Sequence, residues 1–347
     1  MTNSSKLAFT IALLQWNSMQ NKREMPWKGE KNPYRVWLSE IILQQTRVDQ
    51  GTDYYNKFIR NYPTIEKLAA TSDEVVFKDW EGLGYYSRCR NLLYTARHIV
   101  KEYKGNFPGT YEKLIILKGI GPYTAAAIAS FAFNEPRAVL DGNVFRVLSR
   151  FFAIKTPIDS TAGKKQFAIL AQELLDKKKP ALFNQAIMDF GAIVCKPAPI
   201  CSSCTLQSQC MAFKRGEVMN YPVKEKKLIK KKRFFQYLIM ENEGKVLVRQ
   251  RDKKDIWQGL YEFVQLETNA MIPPDNFINS NEFKKLASRD YRIISTSQDK
   301  QELTHQTIHA FFVRLELKKL PAINGYTKVL RKDLGKMAFP KLLQNYL

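Results

Sequence analysis

Long apolar runs are missing from this chain of 347 residues, and no stretch approaches the roughly 20 apolar residues that a membrane-spanning helix needs. Met1 to Gln20 lacks a basic start followed by a long apolar block, so no secretory signal peptide is expected. The expected location is the cytoplasm, at the nucleoid in a bacterium. Histidine is scarce: there are three, and His98 alone precedes residue 300. Acidic residues are also few. Thirty-three Asp and Glu cannot neutralise 55 Lys and Arg, leaving a formal charge of +22. That excess points to a polyanionic partner, nucleic acid first and an acidic membrane surface second. Five cysteines, an odd number, argue against a disulfide framework in so large a chain. Internal repeats and low-complexity tracts are absent.

What is present divides the chain in two. Residues 1 to about 221 read as helical, with no convincing strand. Asn32-Pro33 marks a helix start, Asn32 as cap and Pro33 in the first turn, with the helix running to about Val48. Further helices are expected over 64–70, 72–80, 87–104, 111–117, 122–133, 143–154, 163–175 and 181–194. Between Lys224 and Arg233 seven basic residues face one acid. Residues 222–233 read as a linker, either simply solvated or also touching a phosphate backbone. From 234 to 347 the period becomes two. Phe234–Met240 and Lys245–Gln250 flank a Glu-Asn-Glu-Gly turn, a hairpin pattern. Gln306–Leu317 alternates as a longer strand, and Asn281–Ala287 and the last residues look helical. The expected fold is an all-α region followed by a smaller α+β domain.

Leu117-Lys-Gly-Ile-Gly-Pro-Tyr-Thr-Ala-Ala-Ala-Ile128 is the most informative segment. Gly119 and Gly121 permit a tight turn, and Pro122 suits the first position of a helix. The free N–H groups of that helix start would grip a DNA phosphate without reading bases. An ordinary helix connection is the plainer alternative. Glu40 has Val36, Trp37, Leu43 and Gln44 as helical neighbours, a largely apolar face. A carboxyl buried there resists ionisation and can hold a proton near neutral pH, which suits a general acid. Asp141 opens Asp-Gly-Asn-Val and reads as a helix cap; beside a DNA-gripping hairpin it also reads as a stabiliser of a positively charged sugar. A protonated and an ionised carboxyl together are what cleavage of a glycosidic bond requires.

Trp37-Leu-Ser-Glu-Ile-Ile-Leu-Gln-Gln-Thr-Arg-Val48, Trp80-Glu-Gly-Leu-Gly-Tyr-Tyr-Ser-Arg88, the hairpin and Asp141-Gly-Asn-Val144 together resemble the MutY-type adenine DNA glycosylases of the helix-hairpin-helix superfamily. The resemblance covers nearly the whole chain and is strongest from Met25 to Cys210. It implies a monofunctional enzyme of base-excision repair, acting as a monomer on duplex DNA that carries adenine opposite 8-oxoguanine or guanine. Glu40 would protonate adenine at N7 and Asp141 would stabilise the sugar cation. Tyr123 and Asn143 would support the intermediate and place the nucleophile. Gln45, Thr46, Leu83 and Tyr85 would sit at the lesion after the adenine is extruded, since its bond is inaccessible inside a stacked duplex. Endonuclease III-like relatives carry at the position of Tyr123 a lysine that forms a Schiff base; a phenol cannot.

Cys195, Cys201, Cys204 and Cys210 follow Cys-x5-Cys-x2-Cys-x5-Cys, four thiols within sixteen residues. Structural zinc usually takes two separated Cys-x-x-Cys knuckles, whereas this chain has one such pair. The spacing suits a [4Fe–4S] cluster, and the resemblance implies the same, with a first gap of five residues where the family usually has six. The C-terminal part resembles a Nudix-related recognition domain through Asp255-Ile-Trp-Gln-Gly-Leu-Tyr-Glu-Phe263. The Arg-Glu-x-x-Glu-Glu helix of the metal-dependent hydrolases is missing, which argues against pyrophosphohydrolase activity. Leu303-Thr304-His305 resembles the Phe-Ser-His loop that finds 8-oxoguanine: Thr304 keeps a hydroxyl, Leu303 loses the aromatic surface, and His305 is retained. His309 reads equally as an ordinary strand residue. Rival readings are a bifunctional endonuclease III-like glycosylase and a DNA-binding scaffold without catalysis.

Overall fold

The computed structural model describes residues 3–225, 229–287 and 290–347, so Lys226, Lys227 and Leu228 of the basic run lie outside the described residues, as do Met1 and Thr2. Among the described residues the helices are α1 (Asn3–Met19), α2 (Pro33–Leu43), α3 (Val48–Asn61), α4 (Ile65–Ala70), α5 (Asp73–Trp80), α6 (Tyr86–Tyr103), α7 (Tyr111–Leu114), α8 (Pro122–Phe133), α9 (Gly142–Phe151), α10 (Thr161–Leu174), α11 (Pro180–Ile193), α12 (Met211–Lys214), α13 (Pro274–Ile278) and α14 (Asn281–Leu286). The strands are β1 (Lys231–Asn242), β2 (Lys245–Gln250), β3 (Tyr261–Thr268), β4 (Tyr291–Glu302), β5 (Gln306–Leu317) and β6 (Thr327–Leu330). The chain divides into two compact units: Met1–Ala70 with Asn91–Lys227, and Thr71–Arg90 with Leu228–Leu347.

The first unit is helical. Asn32 caps α2 by accepting from the Tyr34 and Arg35 N–H groups, with Pro33 at the first position. The helix ends at Leu43, not near Val48: Gln44 and Gln45 leave the helical region, Gln45 at φ +57°, and α3 begins afresh. The helix expected over 111–117 is likewise shorter, ending at Leu114. α2 packs on α3 and α8, and α11 on α1, α8 and α9. A core of Phe9, Leu13 and Trp16 with Val147, Leu148, Phe167, Leu170, Phe183 and Phe190 joins α1 to α9, α10 and α11. Each fully buried phenylalanine there contributes about 1.5–3 kcal/mol. α1 and α3 were not expected. The apolar residues of α1 are not confined to one side, Leu7 and Ile11 being exposed while Phe9 and Leu13 are buried, which blurs helical periodicity.

The second unit is a mixed sheet ordered β4-β5-β1-β3-β2-β6. The expected hairpin is present, with Asn242 opposite Lys245 across a turn in which Glu243 and Gly244 have positive φ. Beyond the turn β3 separates the two strands, and β1 runs parallel to β5 along its other edge. Phe277 and Phe283 of α13 and α14 cover one face over Leu238, Met240 and Val313. Phe339 and Tyr346 meet Phe263 and Phe312 among the other aromatics of the sheet. The last residues form 3-10 turns (Arg331–Lys336 and Lys341–Tyr346) and no α-helix. α5 belongs to this unit: Glu81, just after it, accepts from the Phe339 N–H at 2.8 Å, and Lys78 donates to the Met337 carbonyl at 3.1 Å.

Candidate active site

A cavity of about 460 Å³ opens in the first unit and is lined by Ser39, Glu40, Leu43 and Thr46 from the α2 region, Tyr123 of α8, and Asp141 and Asn143 at the start of α9. Three segments distant in sequence meet here because α2 and α11 both pack on α8, and α9 packs on α11. Glu40 is 7% exposed. Burial is the main force raising its carboxyl, to about 7; the Asp141 charge adds to the rise and a hydrogen bond with the Tyr123 hydroxyl opposes it. Burial and the two carboxyls push the Tyr123 phenol well above its ordinary value, so it stays neutral. Its hydroxyl also reaches the Met188 sulfur at 3.5 Å.

Asp141 caps α9, as its position suggests. Oδ1 accepts from the Val144 N–H at 2.7 Å and Oδ2 from the Asn143 amide at 2.8 Å. Burial raises this carboxyl too, while those donors and the Arg146 charge oppose the rise by favouring the anion. Glu40 therefore sits in an apolar wall with one opposing partner, whereas Asp141 has a ring of donors. Their environments suit one for holding a proton and the other for carrying a charge.

The hairpin turns at Gly119, whose φ is +79° and where a Cβ would stand 2.7 Å from that of Asn91. Gly121 precedes α8 without a capping side chain, and Pro122 occupies the first position. The helix start therefore keeps N–H groups available to an anion. The Thr95 hydroxyl holds the turn by donating to the Lys118 carbonyl at 2.6 Å.

Arg146 was not anticipated. Its Nη2 donates to Asn143 Oδ1 and to the Gly191 carbonyl, each at 2.7 Å, and its Nε donates to the Cys195 carbonyl at 2.8 Å. Gly191 permits this: a Cβ there would lie 2.7 Å from Asn143 Cβ. Sequence carries no sign of either role, because both depend on the contact of α9 with α11.

The four cysteines border one small cavity together with Arg150, Gln207, Phe213 and Val218. Buried Arg150 pins the loop, donating to the Lys196 and Pro197 carbonyls at 2.7 and 2.9 Å, with Nη1 3.6 Å from Cys195 Sγ. Burial pushes up the thiols of Cys195, Cys204 and Cys210, that of Cys204 to about 11. Such thiols ionise only when a cation compensates. Among the described residues no three His, Cys, Asp or Glu side chains are disposed around a single ion. Four thiols bordering one cavity supply the all-cysteine donor set that an iron–sulfur cluster takes.

In the second unit Leu83 and Tyr85 line a cavity of about 370 Å³ with Trp257, Thr304 and His305. Tyr85, at φ +47° between Gly84 and α6, hydrogen-bonds Thr304 through the two hydroxyls. Gln45 lies in the first unit and, unlike Thr46, does not border the cavity holding Glu40. His309 stacks on Phe234 within the sheet and does not border the second cavity.

Residues 38–174 match the family described as HhH-GPD superfamily base excision DNA repair protein, and residues 236–347 match the NUDIX domain family. An adenine DNA glycosylase of Buchnera aphidicola (subspecies Baizongia pistaciae) is 32% identical over 339 residues, covering 95% of this chain and 92% of that protein. An adenine DNA glycosylase of Homo sapiens is 45% identical over 220 residues, which cover 60% of this chain and 40% of the human protein. Among solved structures, a thermostable thymine-DNA glycosylase aligns with a TM-score of 0.57 at 29% identity, over 61% of this chain and 98% of that one.

Proposed function

The chain belongs to the adenine DNA glycosylases of the helix-hairpin-helix base-excision superfamily, and from that premise we propose that it removes adenine opposite 8-oxoguanine or guanine by hydrolysis, leaving an abasic site. The observation that carries the reading is the meeting of buried Glu40 with half-buried Tyr123 and Asp141 in one cavity. In this reading the adenine leaves the stack and enters that cavity, and Glu40 donates its proton to N7. Electrons of the N-glycosidic bond then pass to the base, and the Asp141 carboxylate steadies the sugar cation. Asn143 and Tyr123 position the water that attacks the sugar. The hairpin at Gly119–Gly121 holds a phosphate.

Cleavage of the strand through a Schiff base would need a free amine. Tyr123 has none; of the cavity's lysines, Lys28 pairs with Asp189 at 3.2 Å and Lys31 donates to the Phe131 carbonyl at 3.0 Å. Cys195, Cys201, Cys204 and Cys210 would hold a [4Fe–4S] cluster, which when bound supplies a cross-link that shapes the loop between them. In the second unit, the cavity at Leu83, Tyr85, Thr304 and His305 would receive the base opposite adenine, with the Thr304 hydroxyl as a hydrogen-bond partner.

Single-turnover reaction with a duplex carrying adenine opposite 8-oxoguanine tests the proposal. Free adenine and an intact abasic strand are expected. Borohydride trapping of a stoichiometric lysine–DNA adduct, or no adenine release, would overturn it.

A further inference from the structure

Met188 of α11 borders the cavity that holds Glu40, Tyr123 and Asp141, and is itself half-buried. Its unbranched chain lets the sulfur reach the phenol of α8, the helix on which α11 packs. Among the described residues the Tyr123 hydroxyl has two side-chain partners, the Glu40 carboxyl and the Met188 sulfur at 3.5 Å. A hydroxyl carries one proton, so it donates to one of them at a time. The next residue, Asp189, anchors this part of α11. It is fully buried and binds Arg23 at 2.7 Å, Asn21 at 2.9 Å and Lys28 at 3.2 Å.

We propose that Met188 is a positioning residue of the reaction: its sulfur takes the phenol's hydrogen bond whenever Glu40 is protonated, and so favours the acid form. The inference rests on the reading of Glu40 as the general acid. Two hydrogen bonds in series then hold the proton destined for adenine, from Glu40 O–H to the Tyr123 oxygen and from Tyr123 O–H to the sulfur. Once adenine has taken that proton, the phenol turns and donates to the carboxylate left behind, which is the stronger acceptor. A leucine fills the same space and accepts nothing. The protonated state alone then loses a hydrogen bond, and Glu40 gives up its proton at lower pH. The other ionisable groups bordering the cavity are Asp141, backed by Arg146, and Arg23, Lys28, Glu30 and Lys31 from the segment before α2. Arg23 and Lys28 pair with Asp189, Glu30 with Arg35, and Lys31 with the Phe131 carbonyl. Exchanging one neutral side chain for another at position 188 alters none of these pairs.

The test uses the full-length protein with glutamate labelled at the carboxyl for carbon NMR. The Glu40 signal is assigned by its absence in Glu40→Gln and followed as pH is raised. Met188→Leu, a volume-conserving exchange, is expected to lower the titration midpoint of Glu40 by roughly half to one pH unit. Single-turnover adenine release at pH 8 should then be slower by about threefold or more. In a Tyr123→Phe background the same substitution is expected to move neither quantity. An unchanged or raised midpoint in Met188→Leu overturns the proposal. So does an equal displacement in the Tyr123→Phe background, because the effect would then come from packing and not from the phenol proton. The rate profile separates this inference from the reading beneath it. If the midpoint falls while the alkaline limb of the rate stays in place, the sulfur acts as proposed and the general-acid reading of Glu40 fails. If the limb follows the midpoint in every variant, both stand.

Discussion

Arg146 and Cys195 are joined by a 2.8 Å hydrogen bond from the guanidinium Nε to the cysteine carbonyl. The same guanidinium holds the Asn143 amide, which in turn donates to Asp141. The carboxylate proposed to face the sugar is thus tied to the cysteine loop through two side chains. A lysine cannot span these acceptors with one ammonium group. Arg146→Lys is expected to slow single-turnover adenine release about 10- to 100-fold while changing duplex affinity far less. A parental rate would show that Asn143 and Asp141 hold their places without the guanidinium.

In the proposed reaction Glu40 acts in its protonated form, and burial pushes its carboxyl up to about 7. The rate of base release is therefore expected to fall about tenfold per unit above that pH, and to fall again in acid where the Asp141 carboxylate takes up a proton. Glu40→Gln should bind the duplex and release no adenine. A rate that keeps rising to pH 9 would remove Glu40 from the role of acid.

The same burial costs stability. The folded-state value lies above the ordinary 4.5, so Glu40's contribution is fully present below about pH 4.5 and is lost as pH rises through about 7. The gap is worth roughly 3 kcal/mol once both states are ionised. Glu40→Gln should accordingly unfold at a higher temperature than the parent at pH 8, with the advantage shrinking towards pH 5. Parallel Tm curves across that range would contradict the burial argument.

The Tyr123 hydroxyl opposes the rise of Glu40 by hydrogen-bonding its carboxylate. Removing it in Tyr123→Phe should carry the alkaline limb of the rate profile to higher pH, with a loss of about tenfold in the plateau rate. A limb displaced to lower pH would show that the phenol favours the protonated acid.

Local signals made much of this protein legible. Asn32-Pro33 starts a helix, Asp141 caps one, Gly119 turns the hairpin, and Glu243-Gly244 turns a strand pair, because each acts through neighbours a few residues away. The apolar stripe around Glu40 announced its burial, and cysteine spacing placed four thiols at one cavity. Where adjacent residues opposed a simple period, reading failed: α2 stops at Leu43, and α1 went unseen because its apolar residues are not confined to one face.

The amino-acid order alone determined most of the helices, the strands β1, β2 and β5, the caps at Asn32 and Asp141, and which side chains offer a buried acid or a thiol. Only the tertiary structure decided that residues 71–90 join the second unit, that Arg146 links Asn143 to Cys195, and that buried Arg233 and Arg251 clamp the turn bearing Trp257. The reason lies in range. A cap or turn is settled within one helical turn of chain, whereas a pairing across scores of residues leaves no periodic trace and exists only once the elements have packed.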